Sequence, residues 1–163
     1  MQLIVIFLLP FSVVLAQKAC SYDYVKLGNT AYKLERGKVN WWDAARRCMD
    51  YGSQLASIDS EEELKEITTY LNQMGFAATE AVWFSGIGIK TGSWVSLATS
   101  KIMSFFKWAP NEPNDYGYEN CLGIMPTTGT WLMYDLSCFK EYAFLCESNI
   151  KPTDGSTQLN VIQ

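Results

Sequence analysis

Side chains that carry oxygen ligands cluster between residues 111 and 138. They are three carboxylates and one amide, namely Glu112, Asn114, Glu119 and Asp135. Hard cations such as calcium take roughly six to eight oxygen atoms from carboxylates, amides, carbonyls and water. Two cysteines in the same stretch, Cys121 and Cys138, could constrain a loop by disulfide bonding. The stretch therefore predicts a calcium-binding loop.

Composition argues against catalysis and against nucleic acid binding. The chain contains no histidine, so no histidine can activate a nucleophile, act as a general base or hold zinc. Glu112 and Glu119 could in principle flank a glycosidic bond, but they lie on a loop beside an amide. The net charge is −4 without a basic cluster, so phosphate has no binding surface. We expect a binding protein that is not an enzyme.

The N-terminal residues have the character of a secretory signal peptide. Residues 1–16 are apolar and end in Val14-Leu15-Ala16, which places small residues where a cut before Gln17 needs them, although no Lys or Arg precedes them. The apolar stretch from Leu3 to Val14 is too short to span a bilayer. We therefore expect a secreted, extracellular protein with no membrane anchor.

The five cysteines are expected to form disulfides in a secreted chain. They are Cys20, Cys48, Cys121, Cys138 and Cys146. The sequence alone leaves three ways to pair four of them. The odd cysteine indicates an intermolecular bridge or a cap by a small thiol.

Two amphipathic helices are predicted. Asn40 is a candidate N-cap for the first helix, whose buried face carries Trp41, Ala44, Ala45 and Cys48, and Gly52 is expected to end it. Ser60 and Glu63 form a capping box for the second helix. That helix buries apolar residues at helical spacing and stops at Gly75. They are Leu64, Ile67, Tyr70, Leu71 and Met74.

Short strands are predicted elsewhere. A strand and a turn at Gly28-Asn29 fall within Tyr22 to Leu34, and further strands are expected at residues 54–58, 82–84, 121–125, 130–133 and 142–146. Residues 87–111 are polar and contain glycine, which predicts an irregular loop. The tail over 149–163 is polar and is expected to be flexible.

Several motifs in order resemble those of a C-type lectin carbohydrate-recognition domain over residues 22–148. They are Trp83-Phe84-Ser85-Gly86-Ile87, Glu112-Pro113-Asn114, Glu119-Asn120-Cys121 and the ending Cys138 to Cys146-Glu147. The resemblance implies an α+β C-type lectin-like fold. In such a fold two helices pack on short antiparallel sheets that carry a long calcium- and sugar-binding loop.

The resemblance also implies the disulfide pairing, Cys48 with Cys146 and Cys121 with Cys138. Cys20 then remains, in a short N-terminal segment over residues 17–21. We therefore hypothesise a disulfide-linked dimer through Cys20.

The calcium ligands implied by the resemblance are Glu112, Asn114, Glu119 and Asp135, with a cis bond before Pro113. One departure concerns Tyr134, because the family has asparagine directly before this aspartate. A neutral phenol is a poor calcium ligand, so binding is expected to be weaker than with a full set. Residues 86–111 contain no Asp or Glu, so one calcium ion at most is expected.

The order of Glu112 before Asn114 resembles sites that prefer mannose-type sugars on microbial or cell-surface glycans. The same four ligand residues would contact the sugar, which points to a role such as innate immunity. Tyr116 and Tyr118 are candidates to stack on a sugar face, and ordinary rim aromatics are the alternative. The rival function is a protein-binding module of this fold that has lost calcium.

Overall fold

The computed structural model describes residues 24–90, 92–115 and 118–148. The helices are α1 (Trp41–Asp50) and α2 (Glu61–Gln73). The strands are β1 (Val25–Leu27), β2 (Thr30–Val39), β3 (Ser53–Leu55), β4 (Val82–Lys90), β5 (Ser93–Ser96), β6 (Lys101–Ile102), β7 (Glu119–Thr127), β8 (Thr130–Ser137) and β9 (Tyr142–Ser148). The predicted signal peptide, the segment with Cys20 and the tail predicted to be flexible lie outside the described residues, so what the sequence predicts of them stays a prediction. No helix in the described part is long and apolar enough to cross a membrane.

Helix α1 begins and ends where its caps predicted. The side chain of Asn40 accepts a hydrogen bond from the backbone N–H of Asp43 at 2.9 Å. Trp41, Ala44, Ala45 and Cys48 are buried, as helical spacing predicted. Gly52 follows with a φ of +70°, a conformation that glycine adopts without steric cost.

Helix α2 confirms its capping box and corrects one core residue. Ser60 accepts from the backbone N–H of Glu63 at 3.1 Å, and the Glu63 carboxylate accepts from the N–H of Asp59 at 2.7 Å. Leu64, Ile67 and Leu71 are buried. Met74, which we expected in the core, is 37% exposed. The reason is that the helix ends at Gln73, so Met74 lies in the C-cap and away from the buried face.

The last strand lies at the centre of the sheet. The main strand order is β1-β2-β9-β4-β5-β6, with β3 beside β9 and the β7–β8 hairpin attached to β4. Strand β9 is antiparallel to β2 and β3 and parallel to β4. One core cluster packs under α2 and a second under α1.

Both predicted disulfides are present. Cys48–Cys146 joins α1 to the central strand β9, and Cys121–Cys138 joins β7 to the turn after β8. The fold class and the pairing implied by the resemblance are therefore confirmed.

Residues 87–111 are more ordered than the sequence predicted. The stretch contains the end of β4 and all of β5 and β6, and Trp94 and Met103 are buried. In β5 the buried residues Trp94 and Ser96 alternate with half-exposed Ser93 and Val95. Burial alternates along β5 as a strand requires, but hydrophobicity does not, because Ser96 is polar and buried. The sequence therefore hides this strand.

Candidate functional site

The four predicted ligands come together where a loop crosses the end of the β7–β8 hairpin. Glu119 begins β7, and Asp135 lies in β8 opposite Leu122. A backbone hydrogen bond holds the loop before Glu112 against β8, since the N–H of Ala109 donates to the carbonyl of Met133 at 2.9 Å. The Glu112–Pro113 peptide bond is cis, as the resemblance implied. The sheet and the loop thus bring Glu112 and Asn114 to the two carboxylates of the hairpin.

Asp135 fixes the loop to the hairpin. Its side chain is 1% exposed. One carboxylate oxygen accepts from the backbone N–H of Asn114 at 3.0 Å, and the other accepts from the N–H of Asp115 at 2.6 Å. The Asn114 amide donates to Glu112 at 2.7 Å. Each carboxylate oxygen can take more than one bond, so Asp135 keeps capacity to bind a cation.

Two of the carboxylates, Glu112 and Glu119, have raised pKa values. Partial burial, then a hydrogen bond with Asp135 and repulsion from Asp135 and Glu119, raise the pKa of Glu112 to about 7, against the opposing bond from Asn114. Partial burial and then repulsion from Asp135 raise the pKa of Glu119, while Lys140 opposes the shift. Such crowding is what a divalent cation relieves, because it favours the charged form of every ligand.

The donor set fits calcium in its chemistry. It contains only oxygen donors, with three carboxylates and one amide, as calcium prefers. Across the described ranges, no group of three or more His, Cys, Asp or Glu side chains is already arranged to hold a metal ion. Carboxylates alone therefore do not complete the site, and the Asn114 amide, backbone carbonyls or water would have to contribute.

Tyr134 does not take the place of the missing asparagine. Side chains alternate along β8, with Trp131, Met133 and Asp135 buried on one face. Tyr134 lies on the opposite face, where its hydroxyl hydrogen-bonds the Thr127 hydroxyl at 2.8 Å. The phenol is therefore directed away from the carboxylates and supplies no ligand.

Trp131, four residues before Asp135, packs β8 against the helix α2. Its indole N–H donates to the side chain of Asn72 at 2.7 Å, and its ring contacts Phe76 edge-on. Met133, two residues before Asp135, is fully buried in the core. The tryptophan thus anchors β8 to the end of α2.

A cleft of about 220 Å³ extends from the carboxylates toward the β4–β5 hairpin. Its walls include Asp115, Glu119 and Asp135, and also three residues that sequence reasoning missed, namely Lys90, Trp94 and Asn120. The pairing of β7 with β8 shifts between Glu119 and Cys121, which is the mark of a β-bulge. The bulge lets Glu119 and Asn120 line the same cleft, which simple strand alternation would not predict.

Of the two tyrosines predicted to stack on a sugar, the structure describes only Tyr118. Tyr118 is 88% exposed and is not part of the cleft wall. Tyr116 lies outside the described residues. A stacking role for either residue therefore stays a prediction.

Comparisons with known proteins agree with this fold. Residues 37–148 match the family model described as Lectin C-type domain. The chain is 30% identical over 128 residues to C-type lectin 37Db of Drosophila melanogaster, covering 77% of this chain and 81% of that protein.

Two solved structures have a similar fold. One is the C-type lectin domain of murine dendritic cell inhibitory receptor 2 in complex with N-glycan, with a TM-score of 0.69, 20% identity and coverage of 82% of this chain and 99% of that chain. The other is a calcium-independent type II antifreeze protein, with a TM-score of 0.63, 25% identity and coverage of 79% and 93%. The fold thus occurs in a glycan complex and in a calcium-independent protein.

Proposed function

The chain belongs to the Lectin C-type domain family, and on that premise we propose that it is a secreted lectin whose sugar binding depends on one calcium ion. Its ligands would be mannose-type sugars on microbial or cell-surface glycans. The protein would act by binding and not by catalysis.

One observation carries the proposal. Three carboxylates, Glu112, Glu119 and Asp135, lie close enough to repel one another, and this repulsion contributes to the raised pKa values of the two glutamates. Uncompensated carboxylates are costly to hold together. A site that keeps three of them beside the Asn114 amide is suited to a hard divalent cation.

The residues would divide the work of binding. A bound calcium ion would supply coordination positions that two neighbouring sugar hydroxyls can fill. Glu112 and Glu119 would accept hydrogen bonds from those hydroxyls, and the amide of Asn114 would donate one. Asp135 would hold the loop through the N–H groups of Asn114 and Asp115. The order of Glu112 before Asn114 supports the mannose-type preference.

Affinity for a single sugar should be poor, about millimolar, because an open site buries few ligand atoms. Useful binding to a glycan surface then needs several linked sites. We propose that Cys20 links two chains for this purpose. Replacing Cys20 with Ser should weaken agglutination of glycan-coated particles and leave monosaccharide affinity unchanged. An equal loss in both assays would contradict the avidity explanation.

A specific observation favours the second candidate, a calcium-independent protein-binding module. Tyr134 supplies no ligand to the site, and both oxygens of Asp135 already accept backbone hydrogen bonds. A similar structure also belongs to a protein described as calcium-independent. The three crowded carboxylates favour the lectin, because a module without a cation gains nothing from holding them together.

Retention on mannan resin tests the proposal. The purified protein should be retained in calcium, released by EDTA and displaced by free mannose. Glu119→Gln should abolish retention, whereas Glu62→Gln, which removes an exposed carboxylate from α2, should not. Passage of the folded protein through the resin in calcium, together with no calcium binding by calorimetry, would leave the protein-binding module.

A further inference from the structure

The cleft has a second end that the calcium proposal does not use. It is formed by the β4–β5 hairpin and the bulge in β7, and its residues are Gly88, Lys90, Trp94 and Asn120. A Cβ at position 88 would lie 3.4 Å from Oδ1 of Asn120 and 3.6 Å from Cζ2 of Trp94. The absence of a side chain at Gly88 therefore leaves space beside the carbonyl oxygen of Asn120 and the ring of Trp94.

Lys90 gives this end of the cleft a positive charge. Among the described residues that line the cleft, Lys90 is the one with a positively charged side chain. The ion pairs formed within the described ranges do not include Lys90, whereas Lys107 of the same loop pairs with Glu61. Residues 86–111 contain no Asp or Glu, so this loop brings no carboxylate of its own to neutralise the ammonium group.

The geometry points to a subsite for a negatively charged substituent, a sulfate, phosphate or carboxylate group carried by the bound sugar. The ammonium group of Lys90 is the donor that would bind such an oxyanion. This inference rests on the proposed function, because the sugar must first be anchored at the carboxylate end. Free sulfate should not bind, since Asp115, Glu119 and Asp135 repel an anion that is not anchored.

Competition on mannan resin in calcium tests the subsite with matched sugars. The competitors are methyl α-mannoside, its 6-sulfate and its 6-phosphate. The charged sugars should compete about twofold to fivefold better than the plain sugar at low salt, the range of an exposed ion pair. The preference should shrink in high salt, because salt screens exposed charges.

Variants separate charge from space. Lys90→Met should remove the preference for the charged sugars and leave the plain sugar unaffected. The control is Lys101→Met, which removes an exposed lysine of the same loop outside the cleft wall and should keep the preference. Gly88→Ala adds one methyl group beside Asn120 and should reduce the preference without changing any charge.

The outcomes are distinct for the two proposals. Equal competition by the plain and charged sugars would overturn the subsite and leave the lectin proposal standing. A preference that survives Lys90→Met would also overturn the subsite. If the folded protein is not retained on the resin in calcium, both proposals are overturned together.

Discussion

Replacing Asp135 with Asn should destabilise the domain even when no calcium is present. Asn keeps one acceptor oxygen, so one of the two N–H groups that Asp135 satisfies, at Asn114 or Asp115, would face an NH₂ group. An unsatisfied donor in a partly buried place costs about 1–3 kcal/mol. The variant also removes repulsion on Glu112 and Glu119, a gain of about 1 kcal/mol or less for partly exposed groups. The net loss should be about 1–2 kcal/mol.

The measurement is thermal unfolding in EDTA, compared with wild type and with Glu119→Gln. For a domain of this size, a loss of about 1–2 kcal/mol lowers Tm by about 4–8 °C. Glu119→Gln is the matched control, because it removes a carboxylate of the same cluster that accepts no hydrogen bond from the described residues. It should leave Tm unchanged or raise it. Equal Tm values for the Asp135 variant and the wild type would refute the anchoring function of Asp135.

Three further predictions follow from the site and the scaffold. First, the folded-state pKa of Glu112, about 7, lies above its ordinary value of 4.5. The contribution of Glu112 to the free energy of unfolding in EDTA is therefore complete below about pH 4.5 and is lost as the pH rises through about 7. Thermal melts should show this loss in wild type and less of it in Glu112→Gln, whereas calcium affinity should increase over the same pH range; a flat apo profile would contradict the crowding. Second, changing both Cys48 and Cys146 to Ala should cost about 4–5 kcal/mol in urea unfolding, because the bridge closes a long loop; a loss below about 1 kcal/mol would show that the bridge does not constrain the unfolded chain. Third, Tyr134→Asn should leave calcium affinity within about twofold by calorimetry, because position 134 faces away from the carboxylates; a tenfold gain, about 1.4 kcal/mol, would show that the strand can turn this residue into the site.

Local rules predicted the helices well because their ends depend on short-range contacts. Asn40 and Ser60 cap through backbone groups three residues away, so the signal and its effect lie in the same few residues. Met74 shows the limit of periodicity, since the pattern continued past the residue where the helix ends. The disulfide pairing came from the resemblance, because the sequence alone allowed three pairings.

The site was harder to predict because its shape depends on strand pairing. The ligand types could be read from the chain, but the bulge that directs Asn120 into the cleft is a property of the β7–β8 register. Lys90 is remote in sequence from the carboxylates and reaches the cleft only because β4 pairs with β7. The outward direction of Tyr134 follows from alternation along β8, once the burial of Asp135 is known.

The central position of β9 has a consequence for the order in which the chain can fold during synthesis. This strand contacts β2, β3 and β4, and five successive residues within it are buried, from Ala143 to Glu147. A nascent chain that has emerged only as far as β8 lacks the strand that joins β2, β3 and β4, and it lacks Cys146, the disulfide partner of Cys48. Its apolar surface stays open to solvent and to other chains. Completion of the domain is therefore a late event, in which the last strand inserts and the long disulfide closes almost together.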